Sequence, residues 1–183
     1  YADAENDIKR SFPYVREASV RFRLPNSITI NIAERQPAAI IQWLGTNLLM
    51  DGQGYVVDNV SDAGAYKLPY LKGLKFKDFQ PGRRLKLDNP QKLEVFNELV
   101  AEIISSDRHD NSFKLYEKVR YIDVTDTIEI KMNIDTRMTV IFGDMRKIRY
   151  KIDYLKQIYA QQKSDGKYIL DFSSGEDPVL KPE

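Results

Sequence analysis

The stretch Tyr121–Gly143 constrains the fold more than any other part of the chain. Ile122 and Val124, then Ile128, Ile130, Met132 and Ile134, then Met138, Val140 and Phe142 alternate with polar residues. A period of two sends successive side chains to opposite faces of an extended chain, so one face lies on a core and the other meets water. Thr125-Asp126 and Asp135-Thr136 fall between the runs, where short turns reverse the chain. The expectation is an antiparallel meander serving as a scaffold, because none of its side chains has a chemical partner at a catalytic spacing.

The chain has 183 residues, enough to bury a sizeable core. With 28 basic and 27 acidic residues the net charge is +1, so no long-range field draws it to nucleic acid. Cysteine is absent, which excludes disulfides, thiolate catalysis and cysteine-ligated metals. No apolar run approaches the roughly 20 residues that span a bilayer. The opening Tyr1-Ala2-Asp3 lacks an initiator Met, so these residues are expected to be part of a longer protein.

Local signals predict the remaining elements. Asp3 caps a short helix that buries Ala4, Ile8 and Phe12 and stops at Pro13. Strands follow at Val15–Leu24 and Ser27–Ile32 around a Pro25-Asn26 turn, and Glu34-Arg35-Gln36-Pro37 closes this helix-strand-strand unit. Ala39–Leu44 reads as a strand buried on both sides. Gly45-Thr46-Asn47 and Asp51-Gly52-Gln53-Gly54 mark hairpins into Leu48–Met50 and Tyr55–Asp58. Pro90 opens a helix carrying Leu93, Phe96, Leu99, Val100, Ile103 and Ile104, which gives way to a polar loop from Ser105 to Ser112. After the meander, a helix over about Met145–Lys163 carries Ile148, Ile152, Leu155 and Ile158 or Tyr159, with Gly166 as its C-cap. Tyr168–Ser173 is the last clear strand, and Pro178-Val179-Leu180 has the character of a short edge strand. The fold class is α+β.

Several groups that resemble catalytic motifs have simpler readings. His109 lies among Ser and Asp residues of one polar loop, whereas a triad needs groups converging from separated positions. A single histidine argues against zinc. Asp51-Gly52-Gln53-Gly54 lacks the lysine and helix of a phosphate loop. Asp123, Asp126 and Glu129 cluster on the wet face of the meander, as solvated acids commonly do. The clusters Arg83-Arg84-Leu85-Lys86 and Arg146-Lys147-Ile148-Arg149 could add weak attraction to an anionic surface. No catalytic, cofactor or metal site is expected.

A strand at an open sheet edge offers unpaired N–H and C=O groups to which another chain can add. The candidate edge comprises Tyr168, Ile169, Leu170, Phe172, Ser173 and Ser174, with Pro178 and Val179 in the tail. Alternation points Tyr168, Leu170 and Phe172 inward and Ile169, Asp171 and Ser173 outward.

Phe12-Pro13-Tyr14-Val15, Ala18-Ser19-Val20, Leu24-Pro25-Asn26-Ser27-Ile28-Thr29-Ile30 and Glu34-Arg35-Gln36-Pro37-Ala38 together resemble the FtsQ/DivIB family of bacterial division proteins. Trp43, Asp51 with Gly54, Leu68-Pro69-x-Leu71-x-Gly73, Gly82 before Leu85, and Asp171 in the last strand extend the resemblance over nearly the whole chain. It implies the end of a POTRA domain over 1–37 and a β domain with two packed helices over 38–183, with Glu34, Arg35 and Pro37 at the junction. Glu34 and Arg35 are read there as a surface pair fixing the angle between the domains. The resemblance further implies a non-enzymatic scaffold at the septum, held in the cell membrane by one helix outside this stretch and facing the exterior or periplasm. Its implied partners are FtsB/DivIC-like and FtsL-like proteins and other members of the divisome. The alternatives are a POTRA-type assembly module of a secretion system and, least favoured, a cell-wall-active enzyme using two carboxylates across a cleft.

Overall fold

A computed structural model describes residues 2–110, 112–162, 166–174 and 177–183. Lys163, where the last helix is expected to end, lies outside the described residues, as do Ser164 and Asp165. The chain divides into two compact units, one of residues 1–65 with 76–86, the other of 66–75 with 87–183.

The first unit begins with α1 (Ala2–Ser11) and the antiparallel pair β1 (Val15–Arg23) and β2 (Ser27–Glu34). Opposed Val20 and Ile30, and Phe22 and Ile28, lie on one face of the pair. Alternation predicts these strands, but this face is not sealed: Phe22, Ile28, Ile30 and Ile32 are about half exposed or more, and α1 contains no buried residue. A helix and one hairpin supply too little opposing surface to enclose that stripe. The antiparallel strands β3 (Pro37–Trp43), β4 (Thr46–Asp51) and β5 (Val56–Val60) follow. Ala39, Ile40 and Ile41 are buried in succession, as a strand covered on both faces requires. Leu44, expected in that strand, instead turns with Gly45 at positive φ and is exposed. Trp43 holds the 76–86 segment by stacking on Phe76 and meeting Phe79 edge-on at 5.2 Å.

Six strands of the second unit are hydrogen-bonded in the order β11-β10-β9-β8-β7-β6, with mixed directions. Its strands are β6 (Tyr70–Lys72), β7 (Val119–Asp123), β8 (Ile130–Ile134), β9 (Met138–Gly143), β10 (Tyr168–Asp171) and β11 (Val179–Pro182). The predicted meander is β7-β8-β9, antiparallel throughout, with Ile130, Met132, Ile134, Met138, Val140 and Phe142 buried at alternate positions. Its middle strand starts at Ile130; Ile128 belongs to the preceding turn, where Asp126 accepts its N–H, and is 73% exposed. β6, which no periodicity announces, runs parallel to β7. Gly73 follows at φ +99°, where an added Cβ would lie 2.3 Å from the Thr125 backbone nitrogen.

Two helices carry the matching apolar stripe. α2 (Gln91–His109) buries Leu93, Phe96, Leu99 and Ile103, and α3 (Ile148–Gln161) buries Ile148, Ile152, Leu155 and Tyr159. Each such side chain contributes about 1.5–3 kcal/mol. The expected loop from Ser105 is a correction: α2 runs on to His109, because Ser106 and Asp107 are buried at its end and satisfied there. Ser106 donates to Asp153 on α3, and Asp107 accepts the N–H groups of Leu115 and Tyr116 and the Lys156 ammonium at 3.0 Å. α3 is capped by Gln162, not Gly166.

Gly73→Ala is expected to destabilise the chain by about 3 kcal/mol or more in urea unfolding, because backbone must move to admit the methyl. Tyr159 makes a second prediction. Its hydroxyl donates to Asp135 at 2.7 Å, and burial followed by this bonded carboxylate pushes its pKa up to about 12. A raised folded-state pKa contributes stability that is complete below the unfolded value of about 10 and lost as pH rises through about 12. Unfolding titrations from pH 9 to 12 should show this loss, and Tyr159→Phe should remove it.

Candidate interaction edge

β10 is positioned by a β9-α3-β10 crossover, which lays it parallel to β9 with Leu170 opposite Val140. Lys151 of α3 bonds the carbonyls of Phe142 and Asp144, fixing the helix to the end of β9. Leu170 is 1% and Phe172 8% exposed, so both point inward. Phe172 stacks on Phe142 at 6.1 Å with 7° between the rings, and Tyr154 of α3 meets it edge-on. It therefore belongs to the core under the edge. Tyr168 and Ile169 are half-buried, whereas Ser173 and Ser174 are exposed.

The tail forms a strand of its own. β11 pairs antiparallel with β10, opposing Asp171 to Val179 and Tyr168 to Pro182, so it covers the flank of β10 and leaves its own free. Val179 is 40% and Leu180 36% exposed; Pro178 is half-buried. At the turn, Asp171 accepts the N–H and the hydroxyl of Ser173. Burial pushes the Asp171 pKa up, but these two bonds and the charge of Lys181 outweigh it and hold the carboxyl below its ordinary value.

The ladder decides what the free flank offers. Glu183 N–H bonds the Lys167 carbonyl. Antiparallel alternation therefore aims the N–H groups of Lys181 and Val179 at β10 and that of Leu180 outward. The neighbouring outward positions are Pro178 and Pro182, which have no N–H to give. A docking strand would meet one outward donor, from Leu180, flanked by carbonyls. Leu180 was expected only as part of the short tail strand and Pro182 not at all; the readable signal was two prolines bracketing Val179, Leu180 and Lys181.

The expected junction residues do not form one pair. Glu34 is exposed, while Arg35 is buried and bonds Asp51 at 2.8 Å, because neighbours on an extended chain face opposite ways. Arg35 also lies under the Tyr55 ring, 3.6 Å from its centroid. Pro37 opens β3. The remaining acids have local partners: Asp123 and Asp126 accept N–H groups two residues ahead, and Glu129 pairs with Lys131. His109 Nδ1–H donates to the Ser105 carbonyl within α2. Among the described residues no group of His, Asp or Glu is arranged to hold a metal, and no helix is long and apolar enough to cross a membrane.

A family model described as POTRA domain, FtsQ-type, matches residues 1–35, and one described as cell division protein FtsQ/DivIB, C-terminal, matches 38–172. The chain is similar to cell division protein DivIB of Clostridium acetobutylicum, 26% identical over 91% of this chain and 64% of that protein. DivIB of Clostridium tetani is 25% identical over 86% of this chain and 57% of its own length. Cell division protein FtsQ of Koribacter versatilis is 27% identical over 67% of this chain and 33% of its own. The chain thus spans about three-fifths of the two DivIB relatives.

Replacing Phe172 with Ala should cost about 3–5 kcal/mol of stability, as for other buried aromatics. Val179→Thr, on the exposed strand, should stay within about 0.5 kcal/mol. Urea unfolding of the two variants measures both.

Proposed function

Because this chain belongs to the FtsQ/DivIB family of bacterial cell division proteins, we propose that it is a non-enzymatic scaffold that gathers other division proteins through β11. The observation carrying this reading is a free sheet edge whose outward backbone groups cluster at Leu180, beside two exposed apolar side chains. Main-chain bonds to Leu180 would set the register of an added strand, while Val179, Leu180 and half-buried Ile169 would contribute apolar contact. The partners are of the FtsB/DivIC and FtsL kinds. Family membership supports a full-length protein anchored in the cell membrane, with these residues outside the cytoplasm at the septum. Residues 1–37 are read as the end of a POTRA domain and residues 38–183 as a β domain.

Leu180→Pro tests the edge directly. It removes the one outward donor and no bond to β10, so the fold should persist with unchanged far-UV circular dichroism. Calorimetry against the extracellular part of the genome's own FtsB/DivIC-like protein should show binding weakened at least tenfold. Unchanged binding by the folded variant would place the partner on another surface.

A further inference from the structure

The first unit holds a cleft of about 760 Å³ between the end of α1, the start of β1 and the Gln80–Arg83 turn. Its shape is set by local bonds. Gly82 N–H bonds the Val56 carbonyl, Val56 N–H bonds the Arg83 carbonyl, and Leu85 N–H bonds the Gly54 carbonyl, clamping the turn to the β4–β5 hairpin. Gly82 sits at φ +77°, close against Pro13.

Lys9, Arg10, Arg16, Arg35 and Arg83 all line this cleft, and no carboxylate does. Asp7 and Glu17 pair with Arg10 and Arg16 from exposed positions outside the lining. Lys9 and Arg83 have no side-chain partner among the described residues. α1 brings its carbonyl end to the cleft, worth a charge of about −0.5, which Lys9 and Arg10 in its last turn outweigh.

Arg35 is the built part of the site. Its side chain is 9% exposed, gripped by Asp51 at 2.8 Å and by the Tyr55 ring. Asp51 is itself saturated, since its other oxygen accepts the N–H groups of Gln53 and Tyr55. Among the described residues only Nη1 of Arg35 finds acceptors, and Nε is buried with none. A guanidinium has five donors, so Arg35 brings to the cleft a fixed positive charge whose donors Asp51 and Gln53 do not exhaust.

We propose that this cleft binds a phosphate group. Like charges converging on a concave surface focus the potential there, and guanidinium forks match phosphate oxygens in geometry. One carboxylate would engage one arginine; five cations around one space, with Lys9 and Arg83 unpaired among the described residues, suit the higher charge and multiple acceptors of phosphate. The same chemistry is found in free phosphate, in a polyol-phosphate polymer and in a phospholipid headgroup.

The test is calorimetry of the whole 183-residue chain at low ionic strength with three probes. These are inorganic phosphate, a short glycerol-phosphate oligomer, and phosphatidylcholine vesicles containing phosphatidylglycerol. Lys9→Gln/Arg83→Gln removes two cleft cations, and Arg108→Gln/Lys147→Gln removes two exposed cations of the second unit, with circular dichroism confirming both folds. The expected result is saturable binding of at least one probe, weakened tenfold or more in the cleft variant and unchanged in the other. The probe bound most tightly identifies the source of the phosphate. Absence of saturable binding, equal binding by all three proteins, or equal weakening in both variants overturns the proposal.

Discussion

The second unit depends on a charge pair sealed between its helices. Lys156 is 3% and Asp107 7% exposed, at 3.0 Å from one another. Isolated, either charge would be costly to hold away from water, and removing one partner of such a pair typically costs about 3–5 kcal/mol. Here the remaining valences are also filled. Asp107 accepts two backbone N–H groups at the entry to β7, and Lys156 donates to the Asp110 carbonyl and lies 5.3 Å from the Phe113 ring. One contact thus joins the end of α2, the connection into β7 and the middle of α3. The stripes of the two helices can close over the sheet only when these three are in register.

This contact also explains where sequence reasoning stopped. The meander was legible because its burial repeats every second residue, and α2 and α3 because theirs repeats at helical spacing. Ser106 and Asp107 carry no such signal. Taken singly they are polar residues in a polar run, and only their partners on α3 and in the 115–116 segment make them interior. Arg35 illustrates the same limit. Its neighbour Glu34 was the visible partner, but the strand turns the two apart and Asp51 supplies the acceptor from sixteen residues away. Periodicity reports which face is apolar; it does not report which distant group satisfies a buried charge.

The candidate edge was partly legible. Alternation from Tyr168 onward correctly turned Leu170 and Phe172 inward. The tail's short edge strand was also expected at Pro178-Val179-Leu180; what was not legible was that this strand, β11, runs to Pro182 and pairs antiparallel on β10. The direction of each N–H in that strand follows from a single bond, Glu183 to Lys167, which no composition can announce.

The parallel pairing of β10 with β9 has a consequence for the order of assembly. Antiparallel neighbours close through short turns, but β10 reaches β9 only after α3 has been laid across the intervening stretch, and β11 can then zip onto β10. Non-local pairings of this kind must meet the entropy of loop closure before their contacts reward it. The outermost strand is therefore laid down late, on top of a finished core. A chain whose helices have not yet docked ends its sheet at β9 instead, so any strand added at β11 has to wait for a molecule that has completed folding.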